Sequence, residues 1–103
     1  SIDFIKMDIQ GAEGLALHGM KGLLTRSKQL KILAEFWPSG LVNAGTDPTF
    51  YLNEMKNLGF TFMELRPASP SKPVLRTPAE LLRMYPPSST AYTNLLFSRM
   101  DKA

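Results

Sequence analysis

Apolar and polar positions fall into blocks along the chain, and the blocks switch between a strand-like and a helix-like period. Residues 2–9 (Ile-Asp-Phe-Ile-Lys-Met-Asp-Ile) form a short, largely apolar run closed by Gly11, the pattern of a buried strand. Over residues 12–26 the apolar positions Ala12, Ala16, Met20, Leu23 and Leu24 recur largely at spacings of three and four, which places them on one helix face. Gly14, Gly19 and Gly22 weaken this helix, each by up to about 1 kcal/mol relative to alanine, so its stability has to come from packing on a sheet. Residues 30–37 (Leu-Lys-Ile-Leu-Ala-Glu-Phe-Trp) are a second apolar run, ended by Pro38. A loop is expected over residues 39–46.

Asp47-Pro48 has the form of an N-cap followed by proline at the first helical position. The helix it opens is expected to reach Leu58, with Phe50, Tyr51, Met55 and Leu58 as its apolar set and Gly59 in the left-handed position after its end. Residues 60–65 (Phe-Thr-Phe-Met-Glu-Leu) alternate partially and predict a third strand. From residue 66 to residue 90 the composition changes, and six of the eight prolines lie there. Within this stretch Thr77-Pro78-Ala79-Glu80 is a capping box with proline at the first helical position, predicting a short helix over residues 78–84. The rest of the stretch reads as extended loop, and Tyr85-Pro86-Pro87 as a rigid turn or a polyproline docking edge. Residues 91–98 predict a fourth strand.

The order strand, helix, strand, helix, strand, proline-rich insertion, strand defines an α/β class. Two βαβ crossovers imply parallel strands with right-handed connections. The insertion lacks a continuous amphipathic pattern, so the last of the four strands is expected to return antiparallel. At 103 residues the chain is expected to be a single domain, with residues 66–90 as its insertion.

Composition narrows the function classes. Hydrophobic residues are 44% and charged residues 20%, globular rather than disordered values. The 12 basic and 9 acidic residues leave a net charge of +3. The basic residues are scattered apart from a loose group between Lys21 and Lys31, so no nucleic-acid partner is expected. No apolar run approaches the ~20 residues of a membrane span, and no charged start precedes an apolar core. We therefore expect no membrane partner and a cytoplasmic protein. Cysteine is absent and histidine occurs once, which excludes disulfides, thiolate catalysis and cysteine- or histidine-rich metal sites. His18 reads as a surface or packing residue, and the six methionines mostly as core filler.

Ligands of open α/β sheets bind at the carboxyl ends of the strands. At the end of the first strand stand Asp8, Gln10, Gly11 and Glu13, and at the end of the second Glu35, Phe36 and Trp37. Two readings compete. Asp8 and Glu13 either cap and charge-complement the helix that follows or do chemistry at that edge. Glu35 either faces a loop or lines a cleft with Trp37.

The string Ile-Asp-Phe-Ile-Lys-Met-Asp-Ile-Gln-Gly-Ala-Glu-Gly-Leu-Ala-Leu-His-Gly-Met-Lys-Gly-Leu-Leu, followed by Leu-Lys-Ile-Leu-Ala-Glu-Phe-Trp-Pro, resembles the core motif of the FkbM family of methyltransferases. The matching positions are Lys6, Asp8, Gly11, Ala12 and Glu13, then Leu17-His18-Gly19, then Glu35-Phe36. Gln10 stands where the family usually has glutamate, and glutamine still donates and accepts hydrogen bonds. The resemblance covers residues 2–65. It implies a three-layer, partial Rossmann-like class I sheet whose four strands are the last four of seven. It also implies methyl transfer from S-adenosylmethionine to an oxygen of a small molecule or sugar. It assigns Asp8 and Glu13 to catalysis, Asp8 and Gly11 to the cofactor, and Gln10, Glu35 and Trp37 to the acceptor. The Gly-rich loop and the acidic residue that hold the cofactor in the family have no counterpart, and no Gly-x-Gly occurs. The chain thus resembles the C-terminal half of an enzyme, inactive by itself. Its expected partners are the missing half or a second copy, paired at the first strand. The alternative is a non-catalytic truncated module serving assembly or protein interaction.

Overall fold

A computed structural model of the chain describes residues 2–7, 29–65 and 72–100. The strands are β1 (Ile2–Met7), β2 (Gln29–Phe36), β3 (Thr61–Leu65), β4 (Val74–Arg76) and β5 (Thr93–Met100). The helices are α1 (Pro38–Asn43), α2 (Pro48–Asn57) and α3 (Pro78–Met84). One mixed sheet runs in the order β1-β2-β5-β3-β4. β1 and β2 are parallel, and β5 lies antiparallel to both β2 and β3. β1, β2 and β3 therefore share one direction, and the last strand opposes them, as the lack of a helical third crossover predicts. The sheet has five strands rather than four, because β4 adds a three-residue antiparallel edge beside β3.

Alternation decides which side is core. Leu30, Ile32, Ala34 and Phe36 of β2, Phe62 of β3, and Leu95 and Phe97 of β5 are all at most 3% exposed. They join Leu41 of α1, Tyr51, Leu52 and Met55 of α2, and Leu81 of α3 in one cluster. The Phe97 ring sits at its centre, edge-on to Tyr51, Phe60 and Phe62 at centroid distances of 6.1, 6.4 and 5.4 Å. Each such pair contributes about 0.5–1.5 kcal/mol beyond the area it buries. All three described helices pack on this face, so the described residues form two layers, and the helix expected over residues 12–26 lies outside them. The opposite face carries one apolar row, between the polar row Lys31–Ser98–Thr61 and the row of Glu35 and Asn94. Leu33, Leu96, Met63 and Leu75 stand side by side across four strands, and Leu75 is 62% exposed.

Local chemistry explains the helix ends. The Asp47 side chain accepts a hydrogen bond from the Thr49 amide at 3.0 Å, with Pro48 at the first position of α2. Gly59, at φ +95°, turns the chain after α2. α3 spans the predicted residues with both arms of its capping box made, Glu80 N to Thr77 Oγ1 and Thr77 N to Glu80 Oε1. Three expectations are corrected. Residues 38–43 form a helix rather than a loop, because Pro38 ends β2 and also serves as the first helical residue of α1. In α2 the buried face uses Leu52 with Tyr51 and Met55, whereas Phe50 is 59% exposed. Met84 is exposed, not core filler, while Met55 is fully buried.

Candidate functional site

The carboxyl ends of the parallel strands form one edge of the sheet. β2 ends at Glu35-Phe36, β3 at Glu64-Leu65, and the antiparallel β5 begins there with Thr93-Asn94. Asp8, Gln10, Gly11 and Glu13, together with His18 and the helix expected over residues 12–26, lie outside the described residues. β1 reaches Met7 opposite Ala34, so Asp8 follows directly on the last strand residue.

Register sorts the polar residues of this edge onto two faces. Glu35 lies opposite Asn94, and Asn94 opposite Leu65. This row is on the face away from the described helices. Glu35 is half-buried and has no hydrogen bond or ion pair with any described residue. Trp37 follows β2 as the N-cap of α1 without a side-chain capping bond. Its indole lies against the backbone of Gly40, where an added Cβ would come within 2.2 Å of Trp37 Cε3. Only glycine lets the ring settle so closely on the helix. Glu35 and Trp37 both stand at the end of β2, and Glu35 carries the one carboxylate of the described edge that has no described partner.

One row earlier in register, Ala34, Leu95 and Glu64 point to the helix face. Glu64 is 1% exposed. Its Oε1 accepts from Arg76 Nε at 2.8 Å, and its Oε2 accepts from Thr93 Oγ1 at 2.8 Å and from the Tyr85 hydroxyl. Arg76 Nη1 also lies 3.9 Å from Glu80 Oε2. Burial pushes the Glu64 carboxyl up, but the hydrogen bonds from Tyr85, Arg76 and Thr93, with the charge of Arg76, together hold it below its ordinary value. Glu80 is also held low, first by the Thr77 amide that its capping box engages. A buried carboxylate with this many donors is satisfied. Breaking such a pair leaves a charge without compensation and costs several kcal/mol.

Sequence reasoning missed Glu64. Its partners stand 12, 21 and 29 residues away, so no local motif announces them. One signal was present: Phe60, Phe62 and Glu64 share a parity, and a carboxylate on the apolar parity of a strand demands buried partners. Among the described residues no group of three His, Asp or Glu could hold a metal ion.

No family model, curated protein or solved structure matches the chain. The geometry of this edge is therefore the basis for a functional reading. No described helix is long and apolar enough to cross a membrane.

Proposed function

We propose that the chain is the C-terminal half of an S-adenosylmethionine-dependent methyltransferase acting on an oxygen of a small molecule or sugar. The observation that carries this reading is the direction of β5. Three strands share one direction and the last strand runs against them, which is the arrangement the FkbM-like motif of residues 2–65 calls for. Two further features favour it. The face away from the described helices carries an apolar row that suits a further covering layer. Glu35, at the ligand-binding edge of the sheet, has a carboxylate with no described partner.

The described residues do not fit the whole cofactor. The chain has no Gly-x-Gly turn, and Glu35 and Trp37 belong on the acceptor side. In this reading Trp37 forms an apolar wall, and Glu35 accepts a hydrogen bond from the acceptor hydroxyl and takes up its proton, the ordinary work of a positioned carboxylate. Asp8, Gln10, Gly11 and Glu13 keep the roles the resemblance implies.

Methyl-labelled S-adenosylmethionine tests this reading, given to the 103-residue chain and to the polypeptide of its complete reading frame, with a mixture of hydroxylated small molecules and sugars. We expect label transfer by the longer polypeptide and neither transfer nor micromolar cofactor binding by the shorter. A complete polypeptide that fails to bind S-adenosylmethionine overturns the reading. If the chain then also sediments as a dimer, the assembly module takes its place, which the edge position of β1 and the 60% exposure of Phe4 favour.

A further inference from the structure

Two polar side chains of the carboxyl edge are neighbours across the β2–β5 ladder. Glu35 lies opposite Asn94, on the face away from the described helices. Directly opposed residues of an antiparallel pair hold their Cβ atoms about 4.5–5.5 Å apart. Both residues are half-buried, and neither side chain has a hydrogen bond or ion pair with a described residue. Their neighbours on this face are apolar. Leu65 continues the row beyond Asn94, and Leu33 and Leu96 form the next pair. Polar groups withdrawn from water are ordinarily hydrogen-bonded, and here the fold supplies no described donor or acceptor. Two aromatic residues flank the pair. Trp37 follows Glu35 by two residues and Tyr92 precedes Asn94 by two, so both stand one step past the last ladder pair, Phe36 with Thr93. Tyr92 is 58% exposed.

We propose that Glu35 and Asn94 together bind two hydroxyls on adjacent carbons of a saturated ring, with Tyr92 as an aromatic contact for that ring. The pair is chemically matched to such a ligand. An ionised carboxylate only accepts, whereas the amide also donates through its two N–H groups. One hydroxyl donates to Glu35 and its neighbour accepts from Asn94, which satisfies both side chains at once. An aromatic face is negative and attracts the weakly positive C–H groups of a hydroxylated ring. A sugar and a carbocyclic diol share this chemistry. The inference names the acceptor class of the methyl-transfer reading and rests on that reading for the reaction, whereas binding is measured without cofactor.

Trp37 is the chain's only tryptophan, so its fluorescence reads this edge directly. The 103-residue chain is titrated with cis-1,2-cyclohexanediol, with methyl mannopyranoside, and with cyclohexanol as the one-hydroxyl control. The diol is expected to bind saturably and about fivefold more tightly than cyclohexanol, the factor one neutral hydrogen bond corresponds to. It is also expected to shift the side-chain amide resonances of Asn94, which cyclohexanol leaves in place. Asn94→Ala is expected to abolish the preference for the diol with the melting temperature unchanged, and Tyr92→Ala to weaken diol and control alike. A glycoside that binds more tightly than the diol assigns the ring to sugars, and the reverse assigns it to carbocycles. Equal affinity for diol and cyclohexanol, no saturable binding of the diol, or a preference that survives in Asn94→Ala would overturn the inference. Methyl transfer by the complete polypeptide without a diol preference in the chain would sink this inference alone. A diol preference without S-adenosylmethionine binding by the complete polypeptide would sink only the methyl-transfer reading.

Discussion

Glu35 and Glu64 are each the penultimate residue of their strand, in two parallel strands that end at the same edge. Yet their fates are opposite. Through β5, Glu64 lies in register with Ala34 and Glu35 with Leu65, so the two carboxylates are one step out of phase and stand on opposite faces of the sheet. That single step decides their chemistry. On the helix face water is excluded, and a carboxylate survives only if the fold supplies its donors, which Arg76, Tyr85 and Thr93 do. On the other face Glu35 is half-buried and keeps its lone pairs uncommitted. A fully engaged carboxylate holds structure, and one with no described partner is open to a ligand, so the comparison sets a structural carboxylate beside an uncommitted one at one edge.

The sharpest way to break the comparison is Glu64→Ala. It leaves Arg76, Tyr85 and Thr93 facing a void, and breaking a buried ion pair costs about 3–5 kcal/mol. The Arg76 side chain is 15% exposed and can turn toward water, so the lower end, about 3 kcal/mol, is expected. Urea unfolding measures it, with a midpoint falling by roughly 1–3 M for a chain of this size. A loss below about 1 kcal/mol would put Glu64 on the same footing as an exposed surface pair.

Acid offers a milder probe of the same contrast. Folding holds the Glu64 carboxyl below its ordinary value of 4.5, so in acid the unfolded chain binds more protons than the folded one. The stability this group contributes is complete above the unfolded value and is lost as pH falls through the lowered folded value. Arg76 from β4, Tyr85 and Glu80 from α3 and its end, and Thr93 from β5 are the groups that surround it. Melting temperature is expected to fall steeply between about pH 5 and pH 3 in the wild type and more gently in Glu64→Gln, where Glu80 remains to titrate. Equal slopes in the two proteins would mean that Glu64 is already protonated when folded.

What was legible in the sequence follows the range of the interaction. The capping box of α3, the Asp47-Pro48 start of α2 and the turn at Gly59 depend on residues within four positions of each other, and each stands where it was read. The strands β2, β3 and β5 show as apolar runs because they are buried, and β1 shows as one although Phe4 is exposed. α1 was hidden because Pro38 both stops a strand and starts a helix, and sequence displays only the stop. β4 was hidden because three residues between Pro73 and Pro78 carry no period. Phe50 and Leu52 were exchanged because adjacent apolar residues in α2 fit two overlapping faces, and only the sheet decides between them. The Glu64 site was out of reach for the same reason, since its donors come together only when β4, α3 and β5 assemble around β3. The place of Glu35 and Trp37 at the end of a parallel strand was legible because a strand end is a local feature.

The smallest expected effect sharpens the other side of the comparison. Glu35→Gln keeps the shape of the side chain and removes only its charge. With no described partner to lose, the change is expected to leave stability within about 0.5 kcal/mol, as for surface substitutions away from structural features. Under the proposed methyl transfer, the same change in the product of the complete reading frame would leave the acceptor's proton without a base, and a positioned base contributes typically about 10²–10⁴-fold to rate. The expected result is an unmoved melting curve with turnover reduced by that order, and with little change in KM if the carboxylate acts mainly in the transition state. A melting temperature that drops along with activity would mean that Glu35, like Glu64, holds the fold, and the distinction between the two faces would fail. Turnover and melting both unmoved would leave Glu35 a solvated carboxylate and direct attention to Asp8 and Glu13 as the remaining acids of the FkbM-like motif.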